Sequence, residues 1–314
     1  MLREYGFMSP VVAAALTDKQ DISEKGQADG YASLDENAMI PEAQMPLSVK
    51  MAIVRANQSY ATSPYFVMEF TTTTNNESIT IPCQNIGTFN AIIDWGDNSQ
   101  STITTYNDTD LTHTFAKAGD HIVMISGAFP NIYFNNTGTT KNKLKAVYNP
   151  GLMGWTRLYN AFFGCSNLTT FVVGNTDTSN VTDIHNMMAN WSSMTTPPDL
   201  TGFNTSNVTD IHNMMGNWYA MTTPPAIDGW DIRKITNATN LLINYKAGSL
   251  TTVWYDAVIL AYYAQSISGG GTGVVHGTSW HFGDAKYTGG GAVEAARTSL
   301  ITNDGWIITD GGVA

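Results

Sequence analysis

His185 and His212 occupy the same place in a phrase that the chain writes twice. Ser179-Asn180-Val181-Thr182-Asp183-Ile184-His185-Asn186-Met187-Met188 returns 27 residues later as Ser206-Asn207-Val208-Thr209-Asp210-Ile211-His212-Asn213-Met214-Met215. If the two backbones lie as neighbouring strands, the imidazoles stand about 5 Å apart, close enough to share a metal ion. Asp183 and Asp210 repeat with them, two residues upstream of each histidine. The flanking units put Tyr159 and Thr239 in the histidine column, both poor zinc ligands, and no third His or Cys follows at a fixed offset. Thr156 and Asn237 flank the aspartates, and two carboxylates fall short of the oxygens that calcium requires unless main-chain carbonyls add to them. The expectation is a hydrogen-bonded ladder with no metal, and no cofactor is expected elsewhere.

Two more columns run through the same units. Cys165, Trp191, Trp218 and Tyr245 are equivalent, and an exposed aromatic ladder would stack on sugars. A small, usually buried Cys in that column favours an inward, packing position instead. Asn160, Asn186, Asn213 and Asn240 form an unbroken column, expected to be an amide ladder that satisfies main-chain groups. The candidate receptor-contacting residues are His185, His212, Asp183, Asp210, Trp218 and Tyr219. No catalytic residue is expected: the chain has no G-x-S-x-G, H-E-x-x-H or phosphate-cradling motif. Asp94 and Asp97 have the chemistry of a glycosidase pair, yet they sit inside a turn that explains them without catalysis. Cys83 and Cys165 are too few for a disulfide framework and too far apart in sequence for a zinc spacing, so two buried thiols are expected.

The elements that must hold these columns follow from spacing. Val181, Ile184, Met187, Met188 and Trp191 recur at three, four and seven residues, which predicts the apolar face of a short helix with Ser179 at its start. Met194-Thr195-Thr196-Pro197-Pro198, repeated as Met221-Thr222-Thr223-Pro224-Pro225, must be extended, because adjacent prolines forbid helix. A helix and an extended piece per unit of about 27 residues describe a ribbon whose units bury their faces against each other. Phe162-Phe163-Gly164-Cys165-Ser166-Asn167-Leu168, taken with the Ser-Asn-Val-Thr-Asp phrases, resembles the BspA-type leucine-rich repeats of bacterial surface and phage proteins. That resemblance implies an α/β solenoid over residues 141–252. A capping unit, residues 253–314, should close it with a helix near Trp254–Ser266, a second at Ala292–Thr302 and a strand at Trp306–Thr309.

Upstream, residues 50–140 carry short β-branched or aromatic runs at Phe66–Phe70, Ser78–Ile81, Phe89–Ile93 and His121–Ile125, bounded by turn residues. Asp94-Trp95-Gly96-Asp97-Asn98, His113-Thr114-Phe115 and Ala118-Gly119-Asp120 resemble the signature of PKD-type immunoglobulin-like domains, which implies a small β-sandwich. Gly96 and Asn98 can take hairpin-turn geometry there, and Trp95 can cover one end of the core.

Residues 1–49 cannot bury a core of their own and need a partner. Lys25-Gly26-Gln27-Ala28-Asp29-Gly30-Tyr31-Ala32-Ser33-Leu34-Asp35, with Ile40-Pro41 and Gln44-Met45-Pro46, resembles a segment near the N-terminus of bacteriophage tail-fibre proteins. The resemblance implies an anchor motif, with Gly26, Gly30, Tyr31, Leu34 and Pro41 as its fixed points, that attaches to tail or baseplate proteins in a homotrimer.

Composition agrees with a β-rich, multidomain chain. Charged residues make up 13% of the 314, about half the usual share, and Thr, Asn, Ser and Gly replace them. Formal net charge is −11, and residues 158–232 hold no Lys or Arg, so nucleic acid is not an expected partner. No apolar run reaches the roughly 20 residues that span a bilayer, and the first residues do not read as a secretory signal. The sum of these expectations is a virion tail fibre, not an enzyme, whose repeats and cap meet a glycan or protein on the host surface by multivalent contact. A bacterial surface adhesin is the alternative, and a polysaccharide depolymerase a more distant one.

Overall fold

The computed structural model describes residues 60–174 and 176–314. The anchor phrase with Gly26, Gly30, Tyr31, Leu34 and Pro41 lies outside the described residues. Of the first of two units, Met1–Ser63, the described part is a 3-10 turn at Tyr60–Thr62; the second unit is Pro64–Ala314.

The second unit is β-rich. It begins with β1 (Phe66–Thr72), β2 (Glu77–Thr80), β3 (Asn90–Asp94), β4 (Gln100–Ile103), β5 (Thr112–Phe115) and β6 (Gly119–Ala128). β1 is buried along nearly its whole length because β6 and the strand at Leu144–Asn149 flank it on both edges, both antiparallel. Glu69 is the polar exception in β1, and its carboxylate accepts from Lys145 Nζ at 2.9 Å and from the Tyr148 hydroxyl. β2 and β5 form a separate antiparallel pair. Between β3 and β4, Gly96 and Asn98 both take left-handed φ (88° and 73°), a conformation that Gly and Asn tolerate best. Trp95 is fully buried there, its ring stacked on His113 at 4.8 Å and its Nε1 donating to Ser101 Oγ.

β7 (Leu144–Asn149) adds to β1, and β8 (Thr170–Phe171) adds parallel to β7, giving one six-stranded sheet in the order β4-β3-β6-β1-β7-β8. That sheet runs across residue 140. From Leu158 the chain then winds in stacked units. Ile184, Asn186, Met188 and Asn190 donate their N–H groups across to the carbonyls of Asp210, His212, Met214 and Gly216, each at 3.0 Å. Met187 and Ala189 donate back instead, to Ile184 and Asn186. The same alternation joins the preceding unit to residues 183–189 and residues 211–217 to residues 237–243.

The helix predicted over residues 179–191 is not formed, and among the described residues no α-helix occurs between 141 and 251. Asn186 (φ 51°) and Asn190 (φ 64°) are left-handed, which ends any right-handed helix within one turn. The three-four-seven spacing arises from a run of turns whose apolar side chains face inward: Val181, Ile184, Met187, Met188 and Trp191 are all fully buried. The Met-Thr-Thr-Pro-Pro stretches lie outside helix and strand, and Thr222 N donates to Thr195 O at 2.8 Å.

The last unit contains α1 (Thr252–Tyr263), β9 (Ser279–His281), α2 (Gly291–Thr302) and β10 (Ile307–Thr309). The Thr251 side chain accepts from Trp254 N and caps α1. Ala238 bridges to Trp280, and Leu242 N donates to His281 O, so β9 lies over the last turn of the stack and β10 pairs parallel to β9 beyond it. Trp280, Phe282, Tyr255 and Tyr262 pack together over that end. Among the described residues no helix is long and apolar enough to cross a membrane.

Candidate functional site

The aspartate in each repeated phrase builds its own turn. Asp183 Oδ1 accepts from the backbone N of His185 at 3.1 Å and also meets the ring Nδ1 at 2.7 Å. Asp210 does the same for His212, at 2.9 and 2.8 Å. Asn237 repeats the turn with Thr239, whose N and hydroxyl both donate to Asn237 Oδ1. An Asx turn of this kind is a local preference of Asp and Asn, so the sequence sets the histidine direction without help from distant contacts.

Stacking the units then stacks the rings. His185 and His212 lie face to face with centroids 4.5 Å apart and planes within 10°. Tyr159 stacks on His185 at 5.1 Å, and Tyr133 meets Tyr159 edge-on at 5.3 Å. The result is a row of four half-buried rings, each offering a polar edge. The hydroxyl of Tyr159 is held by Gln84, and burial with the neighbouring Tyr133 raises its pKa.

The residue in the aspartate column of the first unit is Arg157, not Thr156. Thr182 N donates to Thr156 O and Leu158 N to Asp183 O, so Thr156 aligns with Thr182. The step from this unit to the next is 26 residues, one fewer than the step between the two identical phrases. Arg157 adds its charge to Asp183. Burial pushes the Asp183 carboxyl up, but the hydrogen bonds from the His185 ring and N–H, with the charges of His185 and Arg157, outweigh it and hold the group below its usual range. His185, Asp210 and His212 bring one ligand-type atom each within 4.8 Å of one another.

A family described as "Mycoplasma protein of unknown function, DUF285" matches residues 133–252. The matched stretch begins at the Tyr133 end of the ring row and ends at the start of α1. No curated protein and no solved structure matches the chain.

Of the other sequence candidates, Trp218 is no surface group. It is fully buried, stacked on Trp191 and packed at a tilt against Tyr245, and its Nε1 donates to Met188 O at 2.7 Å. Its whole column, with Cys165 and Trp191, faces the core. Tyr219, the next residue, is 60% exposed and donates its hydroxyl to Asn217 Oδ1. Cys165 is buried and Cys83 half-buried; burial raises both thiols, that of Cys83 to about 12, so neither is a nucleophile at neutral pH.

A column that the sequence reading missed is Gly164, Asn190, Asn217 and Asn244, all left-handed. Asn217 Nδ2 donates to Asn190 Oδ1 at 2.7 Å and Asn244 Nδ2 to Asn217 Oδ1 at 2.8 Å. The signal was present as a second Asn four residues after the first in three consecutive units. The first asparagine column is a ladder only in part: Asn213 donates to Asn186 Oδ1 at 2.6 Å, and its shared feature is a positive φ at all four positions.

Away from the ring row, a polar hollow of about 420 Å³ is lined by Thr71, Glu77, Asn142, Lys143, Lys145 and Asn167. Lys143 is paired with Glu77 and Lys145 with Glu69 and Asp120, so neither ammonium is available to attract an anion.

Proposed function

We propose that this protein is a phage or prophage tail-fibre component that attaches the particle to its host, with residues 1–49 joined to tail or baseplate proteins in a homotrimer. Residues 50–140 act as a PKD-like spacer. Residues 141–252 act as a BspA-type leucine-rich-repeat solenoid, closed by the cap. The row of rings at Tyr133, Tyr159, His185 and His212 carries the reading: half-buried polar edges at 4.5–5.3 Å intervals on a frame fixed by backbone ladders. Such a row meets an extended, repeating ligand with several weak contacts at once, and copies of the chain multiply them. The base-free stretch 158–232 makes a neutral glycan or a protein a better ligand than a polyanion.

The test is adsorption of the full-length protein to candidate host cells, comparing it with a variant carrying Tyr133→Ala, Tyr159→Ala, His185→Ala and His212→Ala. Loss of adsorption by about tenfold or more supports the ring row as the contact. Undiminished adsorption moves recognition to another surface. A bacterial surface adhesin is the second reading, favoured by a family match whose description names a cellular organism and not a virus. Immunogold labelling separates the two, since a fibre decorates virions and an adhesin decorates cells.

A further inference from the structure

We propose that His185, Asp210 and His212 form a binding site for one divalent first-row transition-metal ion, of the Zn²⁺ or Co²⁺ type. Two imidazole nitrogens and a carboxylate oxygen are the donor set such ions take, with the remaining positions left to water. The three donors lie within 4.8 Å of one another and all three residues are half-buried, so an ion there is partly shielded from solvent and still reachable. Around an ion with bonds of about 2.0–2.1 Å, donors sit roughly 3.0–3.4 Å apart, so closing a separation of up to 4.8 Å takes up to about 1.8 Å of movement. Asp210 Oδ1 is already 2.8 Å from His212 Nδ1, which leaves His185 to move. Rotation about its Cβ–Cγ bond supplies that movement at the expense of the 2.7 Å contact with Asp183 Oδ1, while the backbone stays fixed by Ile184 N to Asp210 O and Asn186 N to His212 O. Each Nδ1 lies against a carboxylate oxygen, at 2.7 Å from Asp183 for His185 and 2.8 Å from Asp210 for His212, a contact that places the ring proton on Nδ1, so coordination there displaces that proton to Nε2 or to water.

Three features confine the site to these residues. The histidine column changes to Tyr159 on one side and Thr239 on the other, so the donor pair exists only between the two identical phrases. Each carboxylate accepts from the N–H and meets the ring of its own histidine, but Asp183 also feels the charge of Arg157, whereas Asp210 neighbours the neutral Asn237, whose Nδ2 donates to Asp210 Oδ2 at 3.2 Å. Arg157 stands at the Asp183 end of the column and no Lys or Arg occurs from 158 to 232, so the field at the Asp210 end favours a cation.

The experiment uses the full chain without a histidine tag, titrated with ZnCl₂ by calorimetry and with CoCl₂ by visible absorption, in the absence of any receptor or cell. One equivalent per chain, with Co²⁺ bands of a nitrogen–oxygen site, is expected. His185→Tyr and His212→Thr place in each turn the residue that the neighbouring turn already carries, so both variants are expected to keep the far-ultraviolet circular dichroism of the parent. Each should weaken binding by about 100-fold or more, Asp210→Asn by about 10- to 100-fold, and Asp183→Asn by only a few-fold. Binding that survives His212→Thr, or an affinity no better than that of the double histidine variant, overturns the proposal. Equal losses in Asp183→Asn and Asp210→Asn overturn the assignment of the carboxylate. Because no receptor takes part, failure here leaves the attachment reading standing, and failure of attachment leaves this one standing.

Discussion

Trp191 and Trp218 stack with ring centroids 5.7 Å apart and planes within 10°, one repeat above the other. Each is fully buried, and each indole N–H reaches a main-chain carbonyl of the preceding unit: Trp191 to Phe162 O and Trp218 to Met188 O. A repeat that contacts only its neighbours depends on such a shared pair more than on its own interior. Trp218→Ala is expected to cost about 3–5 kcal/mol, measured by urea unfolding followed by circular dichroism. Trp218→Phe keeps ring contact but loses the hydrogen bond to Met188 O, and should cost less. Equal losses for the two variants would mean that the hydrogen bond, not the packing, holds the units together.

Asn213 tests why asparagine occupies the turn. Its φ is 51°, and its amide donates to Asn186 Oδ1 at 2.6 Å. Alanine loses the amide bond and also pays for the left-handed backbone, about 2 kcal/mol in all, whereas glycine removes the backbone strain and should cost about 1 kcal/mol. The order Asn213, then glycine, then alanine in thermal stability is the expected outcome. The reverse order would show that the unfolded-state freedom of glycine outweighs the strain.

This turn is also where the sequence was hardest to interpret. Strands β1, β2, β3 and β6 were legible because β-branched and aromatic runs end at Gly, Asn or Pro, and α1 and α2 because they hold no breaker and begin or end beside glycine runs. In the repeats, apolar residues at three, four and seven match a helix. The structure reaches the same inward pattern through turns that alternate bonds to the third residue back with bonds to the next unit. Spacing alone does not separate the two. The paired asparagines at 186 and 190, 213 and 217, 240 and 244 do, because a helix has no use for two left-handed residues four apart. At the candidate site, the Asp–His turn was legible as a repeated column. The place of Arg157 was not, because a unit shorter by one residue slips the alignment, and the stacked ring geometry depends on the ladder that turned out not to be a helix.

Glu77 gives a pH dependence with a definite sign. The ion pair with Lys143, at 2.8 Å, and the N–H groups of Thr73 and Thr74 lower its pKa from 4.5 to about 2. A carboxyl lowered on folding stabilises above its unfolded value and loses that contribution as pH falls from 4.5 through about 2. Glu77→Gln should therefore be less stable than the parent at pH 6, by about 0.5–1 kcal/mol for a partly exposed pair. The difference should shrink to nothing as the pH approaches 2, measured by urea midpoints along the series. A constant difference at all pH values would assign the loss to packing of the β2 turn.

Asp310 fastens the cap. Its Oδ2 accepts from the Tyr255 hydroxyl at 2.7 Å and from Arg297 Nε at 2.8 Å, and its Oδ1 accepts from Arg297 at 3.2 Å and from Gly312 N at 3.0 Å. The carboxylate side chain is only 4% exposed, and the Arg297 guanidinium lies over the Tyr287 ring at 4.8 Å, so α1, α2 and the chain after β10 meet at one buried charge pair. Asp310→Asn leaves Arg297 without its counter-charge, a loss of about 3 kcal/mol for a buried pair broken on one side. Because the cap covers the last turn of the stack, the damage should appear first there. Hydrogen exchange is expected to quicken in residues 279–281 and 307–314 before it changes in β1 and β6, the strands at the centre of the large sheet. Uniform quickening throughout Pro64–Ala314 would instead show that cap and sheet unfold as one cooperative unit, and the stack would then owe its closed end to the whole molecule and not to this contact.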